Sequence, residues 1–333
     1  GGIYSERGVT VKNVTITGNN STFEGGGIYG KGAITLTDAT VTDNNRYDVY
    51  YGGKESNTPE LTISGLVKAG YYANFAWKLP ILVSGELSEN SVIHVGVREG
   101  IEHGAIAEPA SGVTLSAENF KADAADSVTS LGKDGKVYLV PCTHEMDDTG
   151  YTCKKCKTQF DARVGDSAYY KTLTEAFNAA RGSTVTLLRD VTLTGNCSSS
   201  YIYSATLDLN GKTVSSERYY ISVGGGNKPR TLTVKDSGTG GGTQALDVTF
   251  YVSSNGTLAV GDSYTGKISR VELQAGGALE AYTGTIQELL LGNGNGTGYS
   301  VKLWKGNTNA CTIGRFENTT SKSLTVQDLL ETN

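Results

Sequence analysis

No window of this sequence approaches the roughly 18 consecutive apolar residues that a membrane-spanning helix requires, so no membrane insertion is expected of this segment. Nor do its 29 basic residues gather into a stripe; 34 acidic residues outnumber them, for a formal net charge of −5. The long-range field that draws proteins to phosphate backbones is missing, which excludes nucleic acid as an expected partner. One methionine and five cysteines among 333 residues leave little for packed helices. The opening "GGIYSERGVTV" lacks the charged region and apolar core of a secretory signal. It reads instead as the middle of a repeat, so this is expected to be part of a longer polypeptide.

What the chain does have is 44 glycines with abundant Thr, Asn and Ser. β-Branched residues suit pleated surfaces, and Gly and Asn suit tight corners. "GGIY" at 1–4 returns at 26–29, and "VKNVTITGNN" at 11–20 returns as "LTDATVTDNN" at 36–45, a shift of about 25 residues that marks a solenoid. Leu61 lies one further period beyond Leu36. In the second half, apolar pairs recur at Leu207/Leu209, Leu232/Val234, Leu258/Val260, Leu279/Ala281 and Val301/Leu303. A second series runs Phe250/Val252, Val271/Leu273 and Leu289/Leu291.

Each strand alternates apolar with Thr or charged residues, covering a core on one face and meeting water on the other. Coils of about 22 to 25 residues accommodate three short strands and three corners, one rung of a right-handed parallel β-helix. The expected fold is therefore an all-β solenoid. Val11, Val14, Ile16 and Asn19 also fit a leucine-rich repeat, but "FEGGGIYGKG" has no helical period and the second half loses that pattern.

A solenoid's open ends need caps. Thr172 and Glu175 have capping-box spacing, Leu173, Ala176, Phe177 and Ala180 share one helical face, and Gly182 stands where the helix should end. The expectation is two β-helix modules: residues 1–140, closing rungs and cap, and residues 164–333, starting from a capping helix at about 172–181. The less periodic stretch after residue 80 is expected to flank and cover the first module's last rung.

A Cys/His joint resembling a zinc ribbon is expected at 141–163. In extended chain Cys142 and His144 project to one face, while Cys153 and Cys156 have the C-x-x-C spacing that turns two sulfurs to one centre. One structural Zn²⁺ could take all four as Cys₃His, supporting a segment too small for its own core. A disulfide from Cys153 to Cys156 or from Cys142, and unligated thiols, are the alternatives. Cys197 and Cys311 lie about five rungs apart, beyond the reach of about 7 Å between bridged Cα atoms; both are expected to be small buried residues.

Glycoside hydrolysis needs two carboxylates about 5 to 10 Å apart. Asp43, Asp48, Asp236, Asp262 and Glu280 are candidates, but their phases differ, and isolated surface acids usually serve solvation. "VIHVGVREGIEHG" gathers His94, Arg98, Glu99, Glu102 and His103 without a nucleophile, and reads as a strand and polar loop. The 19 tyrosines cluster; Tyr170, Tyr201, Tyr203, Tyr219 and Tyr220 could form a ligand-binding patch, or such rings could line the interior and rung edges. "VGGGNKPR" and "GNGNGTG" lack the setting of a phosphate loop.

"GGIYSERGVTVKNVTITGNN" with "GGGIYGKGAITLTDATVTDN" resembles the repeats of polymorphic-outer-membrane-protein-like and pectin-lyase-like β-helix proteins. "YKTLTEAFNAARGSTVTLLRDVTLTG" with "ATLDLNGKTV" resembles the start of β-helical modules in large cell-surface proteins of Gram-positive gut bacteria. The resemblance implies an extracellular, bacterial-surface adhesin or display stalk. It carries no catalytic residue onto numbered positions here. The expected role is non-catalytic binding of a host glycan or host surface protein, with a carbohydrate-active enzyme (polysaccharide lyase or glycoside hydrolase), or a fragment of one, as the alternative.

Overall fold

A computed structural model describes residues 1–319 apart from 23, 54–58, 74–79, 98–103, 124–125, 198–203, 239–244, 293–297 and 304–310. Parallel strands stack into a β-solenoid of about 11 turns, divided between two compact units, residues 1–145 with 153–158 and residues 146–152 with 159–333. Among the described residues no helix is long and apolar enough to cross a membrane.

In the first unit each early turn contributes a short and a long strand. Ile3–Ser5, Ile28–Gly30 and Val49–Tyr51 stack in parallel, as do Val9–Thr17, Ile34–Thr42 and Leu61–Ala73. Inward residues such as Ile28, Ile34, Leu36, Val41 and Ile63 are fully buried, and each contributes roughly 1.5–3 kcal/mol. The corners explain the two repeated motifs. Gly27 must be glycine because a Cβ there would stand 2.4 Å from the backbone oxygen of Asp48 on the next turn, and at Gly26 1.9 Å from that of Asn45. The paired asparagines stack one turn apart: Asn19 donates through its Nδ2 to Asn44 Oδ1 at 3.0 Å, and Asn45 through its Nδ2 to Asn20 Oδ1 at 2.6 Å. At roughly 0.5–1.5 kcal/mol each, such bonds fix register more than they supply stability.

Two expectations are corrected here. Leu61 pairs with Ile34, and it is Ile63 that lies beside Leu36. The stretch after residue 80 does more than flank: Ile81–Leu87 and Val92–Val97 pair in parallel with Leu61–Ala73, and Ala105–Pro109 and Phe120–Ala122 extend them by another layer. Covering begins only at Ser127–Leu131 and Val137–Pro141, an antiparallel hairpin laid against Ala105–Pro109. Switching to antiparallel pairing ends the parallel stack.

The second unit starts with a cap. Leu173–Ala180 is a helix with a complete capping box between Thr172 and Glu175; its Leu173, Ala176, Phe177 and Ala180 are buried, and Arg181 ends it in the left-handed region at φ 43°. Ala162–Val164 pairs antiparallel with Ala168–Tyr170 and with the first solenoid strand, Thr184–Leu187. Beyond this cap, two sheets run in parallel. In one, Leu232, Leu258, Leu279 and Val301 form a single column, with Leu207 beside Val234 rather than Leu232. In the other, Phe250, Val271 and Leu289 are stacked. Among the described residues each turn holds two strands where three short ones were expected, and the second sheet's strands are long and irregular: Ala245–Val252 slips register against Lys267–Leu273 between Leu246 and Thr249. Fully buried Tyr264 fills part of the remaining side, its hydroxyl donating to the Lys267 oxygen at 2.7 Å.

Candidate functional site

Two local segments bring Cys142, His144, Cys153 and Cys156 together. Cys142 follows directly on the strand Val137–Pro141 and is held by its N–H to the Asp126 oxygen at 2.7 Å. The C-x-x-C pair sits in a turn closed by Lys157 N–H to Cys153 oxygen at 3.0 Å, with Lys157 left-handed at φ 60°. Lys154 N–H to Glu145 oxygen at 2.8 Å ties that turn to the chain just after His144. The four donor atoms lie within 4.8 Å of one another, so one metal ion could touch all of them. Cys142 and Cys153 are buried, and His144 and Cys156 half-buried. All four belong to the first unit.

The electrostatics suit a cation. Burial works against ionising Cys153, but the N–H of Cys156, the His144 side chain and the N–H groups of Glu145 and Lys155 outweigh it and hold that thiol well below its ordinary value. Burial, followed by the neighbouring sulfurs, pushes Cys142 up. A positive ion relieves that crowding. The Asp126 carboxylate stands 3.8 Å from His144 Nε2, while Nδ1 faces Cys156 Sγ; a carboxylate behind a ligating imidazole orients the ring. All five cysteines are free thiols. Cys197 is buried as expected, but Cys311 is only half-buried.

Of the acidic candidates, Asp43 and Asp48 line one cleft in the first unit, whereas Asp236, Asp262 and Glu280 belong to the second unit. Asp48 Oδ1 accepts from the Asn44 N–H at 2.9 Å and Oδ2 from the Gly70 N–H at 3.2 Å, pinning a corner to the next strand. Asp236 Oδ1 accepts from the N–H groups of Gly211 and Gly238 at 2.8 and 3.0 Å. Asp262 is exposed and Glu280 half-buried. His94 does form a pair, unforeseen from the sequence, with Asp123 on the next turn, Nδ1 to Oδ1 at 3.0 Å. Arg98, Glu99, Glu102 and His103 lie outside the described residues.

Of the tyrosines marked from the sequence, Tyr201 and Tyr203 lie outside the described residues. Tyr170 and Tyr219 are half-buried and pack on the second unit's core. Tyr220 meets Tyr251 edge to face, centroids 4.7 Å apart. Tyr170 belongs to one sheet and Tyr219 and Tyr220 to the other. The aromatic feature that sequence reasoning missed is in the first unit. Tyr4, Tyr29, Tyr50 and Tyr72 occupy one register position on successive turns. Their rings stack with centroids 5.4, 5.6 and 6.3 Å apart and interplanar angles of 16°, 27° and 7°. Tyr47, left-handed at φ 72°, lays its ring on Tyr72 at 4.2 Å. Tyr50 is buried, whereas Tyr4 is 62% and Tyr47 43% exposed. The signal was present for three of the four: Tyr4, Tyr29 and Tyr50 each follow the Ile or Val of "GGIY" or its equivalent, in phase with the repeat, whereas Tyr72 follows Tyr71.

No protein-family model, curated protein or solved structure matches this chain.

Proposed function

We propose that this chain is the ligand-presenting part of a non-catalytic bacterial surface protein that works outside the cell and binds glycans or proteins of a host. The observation that carries this is the tyrosine column with its exposed members Tyr4 and Tyr47. Tyrosine rings stack on the apolar faces of sugars and give protein partners large contact area at little entropic cost. Stacking with neighbouring rings, worth about 0.5–1.5 kcal/mol per pair, fixes each ring in place before a ligand arrives. The reading is favoured over a glycoside hydrolase or lyase because Asp48 and Asp236 are engaged by backbone N–H groups at corners. On a glycan array and a host-protein panel, the chain is expected to bind without turnover and to weaken on Tyr47→Ala or Tyr4→Ala. Release of reducing ends or unsaturated uronides from a polysaccharide panel would overturn the reading.

Zinc is the ion proposed for the Cys₃His cluster. With tetrahedral bonds of about 2.3 Å to sulfur and about 2.0 Å to nitrogen, two sulfurs stand about 3.8 Å apart and sulfur and nitrogen about 3.6 Å apart. The Cys142–Cys153 sulfurs are 3.6 Å apart, as are Cys156 Sγ and His144 Nδ1. Three thiolates and an imidazole favour zinc over the oxygen-seeking calcium and magnesium. With all four positions filled by protein, the role is structural: zinc would tie the chain leaving Val137–Pro141 to the turn at 153–158.

A further inference from the structure

The outward rows of the first unit are interrupted at Gly70. Gly70 lies beside His94 on the next turn, and Lys68 and Tyr72 project from the same face of its own strand. A Cβ at Gly70 would come 2.8 Å from Asp48 Oδ2, the atom that accepts the Gly70 N–H, so the row keeps a gap there. The gap opens into a cleft of about 430 Å³ lined by Asp43, Tyr47, Lys68, Gly70, His94 and Asp123 among others, within the roughly 300–1,000 Å³ of small-ligand sites.

These walls have the chemistry of a sugar subsite. Tyr47 supplies an exposed aromatic ring, fixed by stacking on Tyr72 and by a backbone conformation that bulky residues rarely adopt. Among the described residues neither the Asp43 carboxylate nor the Lys68 ammonium has a hydrogen-bond or ion-pair partner in the protein, yet both face the cleft. The bond from His94 Nδ1 to Asp123 fixes the imidazole at the rim. The carboxylates of Asp43, Asp48 and Asp123 line the cleft against the one ammonium of Lys68, so an anionic sugar would meet net repulsion.

We infer that this cleft binds one ring of an uncharged hexopyranose. The ring lies against Tyr47, a hydroxyl donates to Asp43, and Lys68 donates to a sugar oxygen. The inference rests on the glycan-binding reading above and assigns the sugar class and the subsite.

The test is titration calorimetry of the full chain with neutral gluco-, manno- and galacto-oligosaccharides and with oligogalacturonate. At least one neutral series should bind, with oligogalacturonate weaker by about tenfold or more. Asp43→Asn, which tolerates the left-handed backbone, and Lys68→Met, which keeps the apolar stem, should each weaken neutral-sugar binding by about tenfold with the melting temperature unchanged. Preference for oligogalacturonate would overturn the sugar class. Wild-type affinity in the double variant, with loss in Tyr4→Ala, would move the glycan to the end of the tyrosine column and overturn the cleft alone. Failure of the wild-type chain to bind any saccharide would overturn the cleft and the glycan-binding reading together.

Discussion

Asp208 shows what one side chain does at a solenoid corner. It is almost fully buried, yet its Oδ1 accepts from the N–H and hydroxyl of Ser237 on the next turn, both at 2.9 Å, and from the Asn210 N–H at 3.1 Å, while Lys235 Nζ stands 3.2 Å from Oδ2. Burial alone would raise this carboxyl; the Ser237, Asn210 and Lys235 donors outweigh it and hold it below its ordinary value. Since the unfolded chain takes up that proton first, at about pH 3.9, the contribution is complete well above that pH and is lost as pH falls through the lower, folded value. Urea unfolding from neutral to acid pH should show stability falling on the acid side, and Asp208→Asn should be less stable at neutral pH with a shallower acid limb. An unchanged limb would mean that other carboxyls dominate. Single residues were also where the sequence was least legible. Asp236 stood out as an acid, but nothing in one dimension marks Asp208 as the acid its neighbours surround. Tyr47 reaches the cleft only because Arg46 and Tyr47 both take left-handed angles, 54° and 72°, which no spacing rule reports.

At the level of elements, the helix Leu173–Ala180 was readable in full because its signals are local: a cap, an apolar stripe and a stop within a dozen positions. Its two contributions should separate by size. Thr172→Ala removes the hydroxyl that accepts from the Glu175 N–H at 3.2 Å and should cost about 1 kcal/mol. Phe177→Ala, at a fully buried ring, should cost about 3–5 kcal/mol, both measured by denaturant unfolding. Equal losses would mean that the helix does not cover the core. Strand register was harder to read. Leu61 and Ile63 share a face, so a slip of two leaves the apolar pattern intact. The extra residue lies at a bulge: left-handed Gly65 at φ 74° lets Asp38 Oδ1 accept from the Leu66 N–H at 3.0 Å, and pairing resumes one residue out of step at Ala39 and Val67. The same ambiguity places Leu207 beside Val234.

For the whole molecule, the two apolar cores have no residue in common, and all four side chains of the candidate metal site belong to the first unit. Metal analysis of the purified chain should find one equivalent of zinc, lost in Cys153→Ser. Calorimetry should then show a chelator lowering one transition and leaving untouched the other, which Phe177→Ala identifies as the second unit's. A chelator that lowers both transitions, or neither, would refute a structural ion confined to the first unit. The period and the C-x-H and C-x-x-C spacings carried fold and cluster into view because each is written in consecutive residues, whereas the cleft at Gly70 depends on what four different turns place side by side. The first turns also share a constant offset: Ile3 meets Ile28, Val9 meets Ile34 and Thr17 meets Thr42, each 25 positions on. Any splice that removes or copies 25 consecutive codons there returns every inward residue to its own column, so genetic recombination can lengthen or shorten this protein without redesigning it.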